Sequence, residues 1–155
     1  MRKEVIEKLK FLVFIRGVEP ETEYMGKIYT QYTLVEFANG QNARLFDHKM
    51  LCTADMIGKQ QKVALWMLVQ SLETIEAEDK RVIPDPSEPS LDIYGCIEEI
   101  AIPEEQKDAE RWHHAIVNFG VGKTLTDIDK NYFRLNLQKG DFVHISGRVD
   151  LIAVE

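Results

Sequence analysis

The sequence is short of the features that mark most catalytic and membrane-bound chains. Only two cysteines, Cys52 and Cys96, occur in 155 residues, without CxxC spacing. That excludes a cysteine-built zinc site and a disulfide framework, and free thiols in an intracellular, cytoplasmic protein are expected. No apolar run approaches the roughly 20 residues that span a bilayer; the stretch FLVFI is followed at once by Arg16. The segment MRKEVIEKLK has no long apolar region and no small-residue cleavage site, so a secretory signal is not expected. Positive charge is also scarce: 19 Lys and Arg stand against 26 Asp and Glu, a formal net of -7. A non-specific basic coat for nucleic acid is excluded.

Catalytic motifs are equally absent. The GVGKT stretch ends like a phosphate-binding loop, but position 117, where its first glycine belongs, holds Val117. Gly120, Gly122 and Lys123 read as a turn between strands. His113 and His114 are adjacent, so on a strand they point to opposite faces. His48, His144, Cys52 and Cys96 are scattered without ligand spacing. Cys96 reads as a small core residue. Glu98-Glu99 and Glu104-Glu105 read as solvated loop charge. No cofactor, metal site or enzymatic function is expected.

What the sequence does contain is period-two alternation, the mark of strands. Val143, Ile145, Gly147 and Val149 share one face of a strand; Phe142, His144, Ser146 and Arg148 share the other. Val63, Leu65, Met67 and Val69 alternate with Lys62, Ala64, Trp66 and Leu68. Thr33, Val35 and Phe37 oppose Tyr32, Leu34 and Glu36, and Asn39-Gly40 follows. Asn-Gly favours the positive φ angles of a tight turn, so residues 30–38 and 42–47 are expected to pair. A short amphipathic helix is expected over 2–10, with Val5, Ile6 and Leu9 on one face. A second is expected over 48–57, stopped by Gly58.

Pro84, Pro86 and Pro89 fall within six residues and predict an extended linker over 83–90. It divides the chain into 1–82 and 91–155, and the two sides look alike. Val35 and Phe37 match Val117 and Phe119; Val63, Leu65 and Val69 match Val143, Ile145 and Val149. Each first strand ends in an acidic loop with a proline, Pro20 or Pro103. An internal duplication is the reading. Charge is split between the sides: residues 1–83 are neutral, and residues 84–155 hold the whole acidic excess.

The order strand, hairpin, short helix and long strand, carried by FLVFIRGV, YTLVEFANGQNARLFD and LCTADMI, resembles the OB-fold. LQKGDFVHISGRVDLI is similar to a strand pattern common among OB-fold nucleic-acid-binding proteins, with Gly147 at a sharp bend. The expectation is an all-β chain with short helices, built as two OB-like Greek-key halves in tandem. Neither half shows a fifth strand. Either segments 61–78 and 141–154 each supply two strands, or the halves complete each other in one fused barrel or a swapped dimer. Residues 123–138 also lack the Asn-Gly turn and helix of the first half.

The resemblance implies a groove for single-stranded DNA or RNA, DNA favoured, in which bases stack on aromatic rings and cations meet phosphates. Tyr32, Leu34, Arg44 and Phe46 would face outward side by side. Arg16 and Lys49 would add phosphate contacts, and Lys59, Lys62 and Trp66 would extend the groove. Outward aromatics also serve as interfaces, and Trp66 leans that way because Leu68 shares its face. The alternative is a protein-interaction module, with a second copy or another protein as partner. No membrane partner is expected.

Overall fold

The computed structural model describes residues 3–85, 87–101, 112–130 and 136–155. Helix α1 (Lys3–Leu9) is followed by strands β1 (Phe11–Tyr24), β2 (Lys27–Glu36), β3 (Asn42–Asp47), β4 (Gln60–Ile75), β5 (Arg81–Pro84), β6 (Ser90–Ala101), β7 (Trp112–Asn118), β8 (Lys123–Asp129) and β9 (Phe142–Val154). All nine strands belong to one sheet, in the order β1-β2-β3-β9-β4-β8-β7-β6-β5. Two further pairings, β1 with β4 and β9 with β6, close it into a ring of hydrogen bonds.

Strands from both ends of the chain interleave in that ring. β1, β2 and β3 pair antiparallel in turn. β3 then meets β9 in parallel, Phe46 opposite Asp150, and β4 returns to β1 through Phe11 opposite Val63. The second circuit is built the same way. β6, β7 and β8 pair in turn, β8 meets β4 in parallel, and β9 returns to β6. β4 and β9 pair along nearly their whole length and serve both circuits. Segment 83–90 is tied down at its ends, because Ile83 and Pro84 pair with Asp92 and Leu91.

Period-two burial explains the interior. Val13, Ile15, Val35, Leu45, Val63, Leu65, Met67, Ile93, Val117, Ile145 and Val149 form one apolar cluster inside the ring. Removing such side chains from water supplies the main driving force, at about 1.5–3 kcal/mol per fully buried Val, Leu or Ile. Where β9 crosses β4, a Cβ on Gly147 would lie 2.0 Å from the Leu68 carbonyl oxygen. Only glycine permits that approach.

Four local expectations are corrected. No helix forms over 48–57, where only a 3-10 turn at Ala54–Met56 is present. The Asp47 carboxylate captures the N–H groups of Leu51 and Cys52, and Met50 adopts φ 54, both incompatible with a helix starting there. At the β2–β3 turn only Gly40 has positive φ, and its N–H donates to Phe37 O at 2.9 Å. That is a type I turn closed by a left-handed glycine, rather than the two-residue form. The two-residue turn lies at Met25-Gly26, with φ 52 and 78. Pro20 lies not in a loop but within β1, beside a register shift, and the β1–β2 ribbon runs on as an exposed arm. Glu98 and Glu99 sit in β6, ion-paired to Lys123 and Lys8. Within the predicted segment 2–10, α1 forms over Lys3–Leu9; Pro86, Pro103 and Glu104-Glu105 lie outside the described residues.

Candidate functional site

Alternation along β2 and β3 sorts the predicted residues by face. Thr33, Val35, Ala43 and Leu45 are buried. Tyr32, Leu34, Arg44 and Phe46 are half-buried on the opposite, outer face. Tyr32 sits directly across from Phe46, and Leu34 across from Arg44. The Tyr32 and Phe46 ring centroids are 6.2 Å apart at 59°. The Arg44 guanidinium lies 5.2 Å from the Tyr32 ring. On the other side, Arg148 of β9 lies 5.3 Å from the Phe46 ring, and the His48 ring lies 6.0 Å from it. The result is a platform of two aromatic rings with a guanidinium beside each.

The platform is electrically balanced. Arg44 pairs with Glu19 at 3.3 Å, Arg16 with Glu36 at 2.6 Å, and Arg148 holds Asp150 through two hydrogen bonds at 2.9 and 3.0 Å. Exposed ion pairs contribute only about 0–1 kcal/mol each, so an incoming phosphate can exchange for a carboxylate. A base stacked on an aromatic ring contributes about 1–3 kcal/mol. Stacking therefore outweighs charge on this face. Arg44 Nε is buried without a hydrogen-bond partner, a donor left unused beneath the platform.

Beneath Phe46 the strand is fixed by Asp47, buried at the end of β3. Its carboxylate accepts from Gln31 Nε2 at 2.8 Å, Thr33 Oγ1 at 3.0 Å and the N–H groups of Leu51 and Cys52 at 2.8 and 3.0 Å. Gln31 Nε2 also donates to the Cys52 carbonyl at 2.8 Å. Burial pushes the Cys52 thiol up to about 11, so it is not a nucleophile at neutral pH.

The remaining predicted residues scatter. Arg16 lies on β1 at the register shift between Ile15 and Gly17, over the Phe14 ring at 5.0 Å. Lys49 and Lys59 are exposed in the segment between β3 and β4. Lys62 lies opposite Leu12, where β4 joins β1. Trp66 packs beneath α1, with its ring 5.6 Å from His114. The structure thus brings Tyr32, Leu34, Arg44 and Phe46 together, sets Arg16 against Glu36 and Phe14 at the β1 edge of that face, and leaves Trp66 and Lys62 elsewhere. Arg148 was missed. Its strand was legible, but its place beside Phe46 depends on pairing across about a hundred residues.

A second aromatic cluster lies on β5, β6 and β9. The Tyr94 and His144 rings stack at 4.1 Å and 5°, and the Arg81 guanidinium lies 3.9 Å from the Tyr94 ring. His144 meets Glu73 through Nδ1 at 2.9 Å and Asp92 through Nε2 at 2.7 Å. Both contacts can be donated only by the imidazolium. Burial opposes that charge, but the hydrogen bonds His144 donates to Glu73 and Asp92 outweigh it and hold the His144 pKa above its ordinary value.

Among the described residues no helix is long and apolar enough to cross a membrane, and no three His, Cys, Asp or Glu side chains converge as a metal set. No known protein family matches the chain, and no curated protein matches it.

Proposed function

We propose that the chain is a non-enzymatic protein that binds single-stranded nucleic acid, DNA in preference to RNA, across the outer face of β2 and β3. The observation that carries the reading is the platform itself: Tyr32 and Phe46 side by side, each with a guanidinium, half-exposed on adjacent strands. Bases stack on the rings, and Arg44, Arg148 and Arg16 exchange their carboxylates for phosphates. Because the face is balanced, binding is modest and salt-sensitive.

The architecture we propose is two OB-like Greek-key halves in tandem, fused through exchange of their long strands. Support comes from register. Ile15 opposite Val35 becomes Ile97 opposite Val117 on adding 82 to each number. Leu65 opposite Leu151 becomes Val69 opposite Gly147 under the same shift, and Met67 opposite Val149 maps onto itself. The shift aligns Val63 with Ile145 rather than with Val143, two residues from the match made on sequence.

Fluorescence anisotropy with labelled oligo-dT and oligo-U, at low and physiological salt, tests the function. Saturable binding, tighter for dT and weakened in Tyr32→Ala/Phe46→Ala, is expected. No binding at micromolar protein and low salt would refute it. A second reading, a protein-interaction module, is favoured by the β1–β2 arm. Tyr24, Met25 and Tyr29 are exposed there, beside Glu21 and Glu23. It predicts stable self-association or partner binding without nucleic-acid affinity, measured by sedimentation.

A further inference from the structure

The shift of 82 carries Tyr32 and Leu34 of β2 onto His114 and Ile116 of β7, and Trp66 of β4 onto Arg148 of β9. The β7–β8 turn is one residue shorter, so Arg44 and Phe46 of β3 correspond to Leu125 and Asp127 of β8. The pairing agrees: Phe46 meets Asp150 in parallel, and Asp127 meets Leu68, its counterpart, in parallel. The molecule therefore carries a second copy of the outer face, made by His114, Ile116, Leu125, Asp127 and Trp66.

That copy is covered. Leu9 of α1 is 0% exposed, against Ile116 at 2%, Leu125 at 1% and Ala64 at 0%. Val5, Ile6 and Trp66 pack around them. Lys8 fastens the helix to β6, with Nζ 3.1 Å from both Glu99 carboxylate oxygens. The chemistry of the two faces has diverged to match. Where the open face has Arg44 and Arg148, the covered face has Leu125 and Trp66. Where the open face has Phe46, the covered face has Asp127, which lies 3.2 Å from His114. Among the described residues the covered face has no guanidinium for a phosphate, and its apolar centre needs a lid. The open face has charged edges and does not.

We infer, building on the nucleic-acid reading, that α1 is a built-in plug on the second copy of the binding face, so that each chain holds one strand, on the β2–β3 face alone. Trp66 then belongs to the plugged face and is no part of the groove. Arg148, contributed by the second long strand, is part of it.

The test is a stoichiometric titration of the full chain with an oligo-dT of about six nucleotides, within the site size of one OB-like unit. One oligonucleotide per chain is expected at saturation. Affinity is expected to fall at least tenfold in Tyr32→Ala/Phe46→Ala and about fivefold in Arg148→Ala, and to change less than twofold in His114→Ala. Two oligonucleotides per wild-type chain, or a His114→Ala loss equal to that of Tyr32→Ala/Phe46→Ala, would overturn the plug and leave the functional reading standing. No binding by the wild type would overturn both. The lid itself is read separately, in a Trp112→Phe background, by acrylamide quenching of Trp66. Val5→Asp/Ile6→Asp should raise quenching severalfold with far-UV circular dichroism of the sheet retained; unchanged quenching would overturn the plug.

Discussion

Replacing Asp47 by alanine removes one carboxylate and strands several donors at once. The side chain is 0% exposed, and it accepts from the Gln31 amide, the Thr33 hydroxyl and the N–H groups of Leu51 and Cys52. Gln31 keeps the Cys52 carbonyl and Leu51 is only half-buried, so the full cost falls on the Cys52 N–H and Thr33. A buried donor left unpaired costs about 1–3 kcal/mol, and charge-assisted bonds lie at the upper end. Relief of the buried charge offsets part of this. The net loss should be about 3–5 kcal/mol. At roughly 2–4 °C per kcal/mol for a chain of this size, Tm should fall by about 6–20 °C. Urea unfolding followed by circular dichroism measures it. Asp47→Asn, which keeps one acceptor oxygen, should lose about half as much. A loss below about 1 kcal/mol for Asp47→Ala would refute the assignment of Asp47 as the fastening of residues 48–52.

Gly147→Ala should destabilise the protein by more than about 3 kcal/mol, read by the same urea assay, because the new methyl meets the Leu68 carbonyl where β4 cannot retreat. The His144 contacts should make stability pH-dependent. The folded pKa is raised, so the contribution is complete below about pH 6.5, the ordinary histidine value, and is lost as pH rises through the folded value. The stability difference between wild type and His144→Gln, measured by denaturant titration from pH 5 to 9, should therefore shrink with rising pH. A difference that grows would contradict the imidazolium between Glu73 and Asp92. On the platform, Tyr32→Ala and Phe46→Ala should each weaken oligo-dT binding about 5- to 150-fold, the range of about 1–3 kcal/mol per stacked base. Anisotropy at low salt reads this directly.

Local alternation made most strands legible. The β2–β3 hairpin, the faces of β4 and β9 and the inward set Thr33, Val35, Ala43 and Leu45 follow from period two, because burial acts on every second residue. Helix α1 was legible from Val5, Ile6 and Leu9. What failed was set by side chains acting on the backbone out of pattern. Asp47 competes for the amides that a helix over 48–57 would need, and no propensity records that. The long arm was hidden because Pro20 and three glutamates look like a loop; at a ribbon edge proline has no ladder bond to lose. The site was half legible. Tyr32, Leu34, Arg44 and Phe46 share a face by counting alone. Arg148 beside Phe46 and Trp66 beneath α1 required knowing which distant strands meet.

The shared use of β4 and β9 also governs how the chain can be made. Until β9 emerges from the ribosome, β3 lacks its parallel neighbour and β4 lacks its longest partner. Residues 1–85 therefore form no closed ring, and they hold two strand edges open until β9 is made. Both circuits close late and together, through pairings such as Phe46 with Asp150, Trp66 with Leu125 and Ser90 with Arg148, all distant in sequence, which makes folding slow for the size of the chain. A cut within segment 83–90 would leave β4 and β9, which serve both circuits, on different fragments.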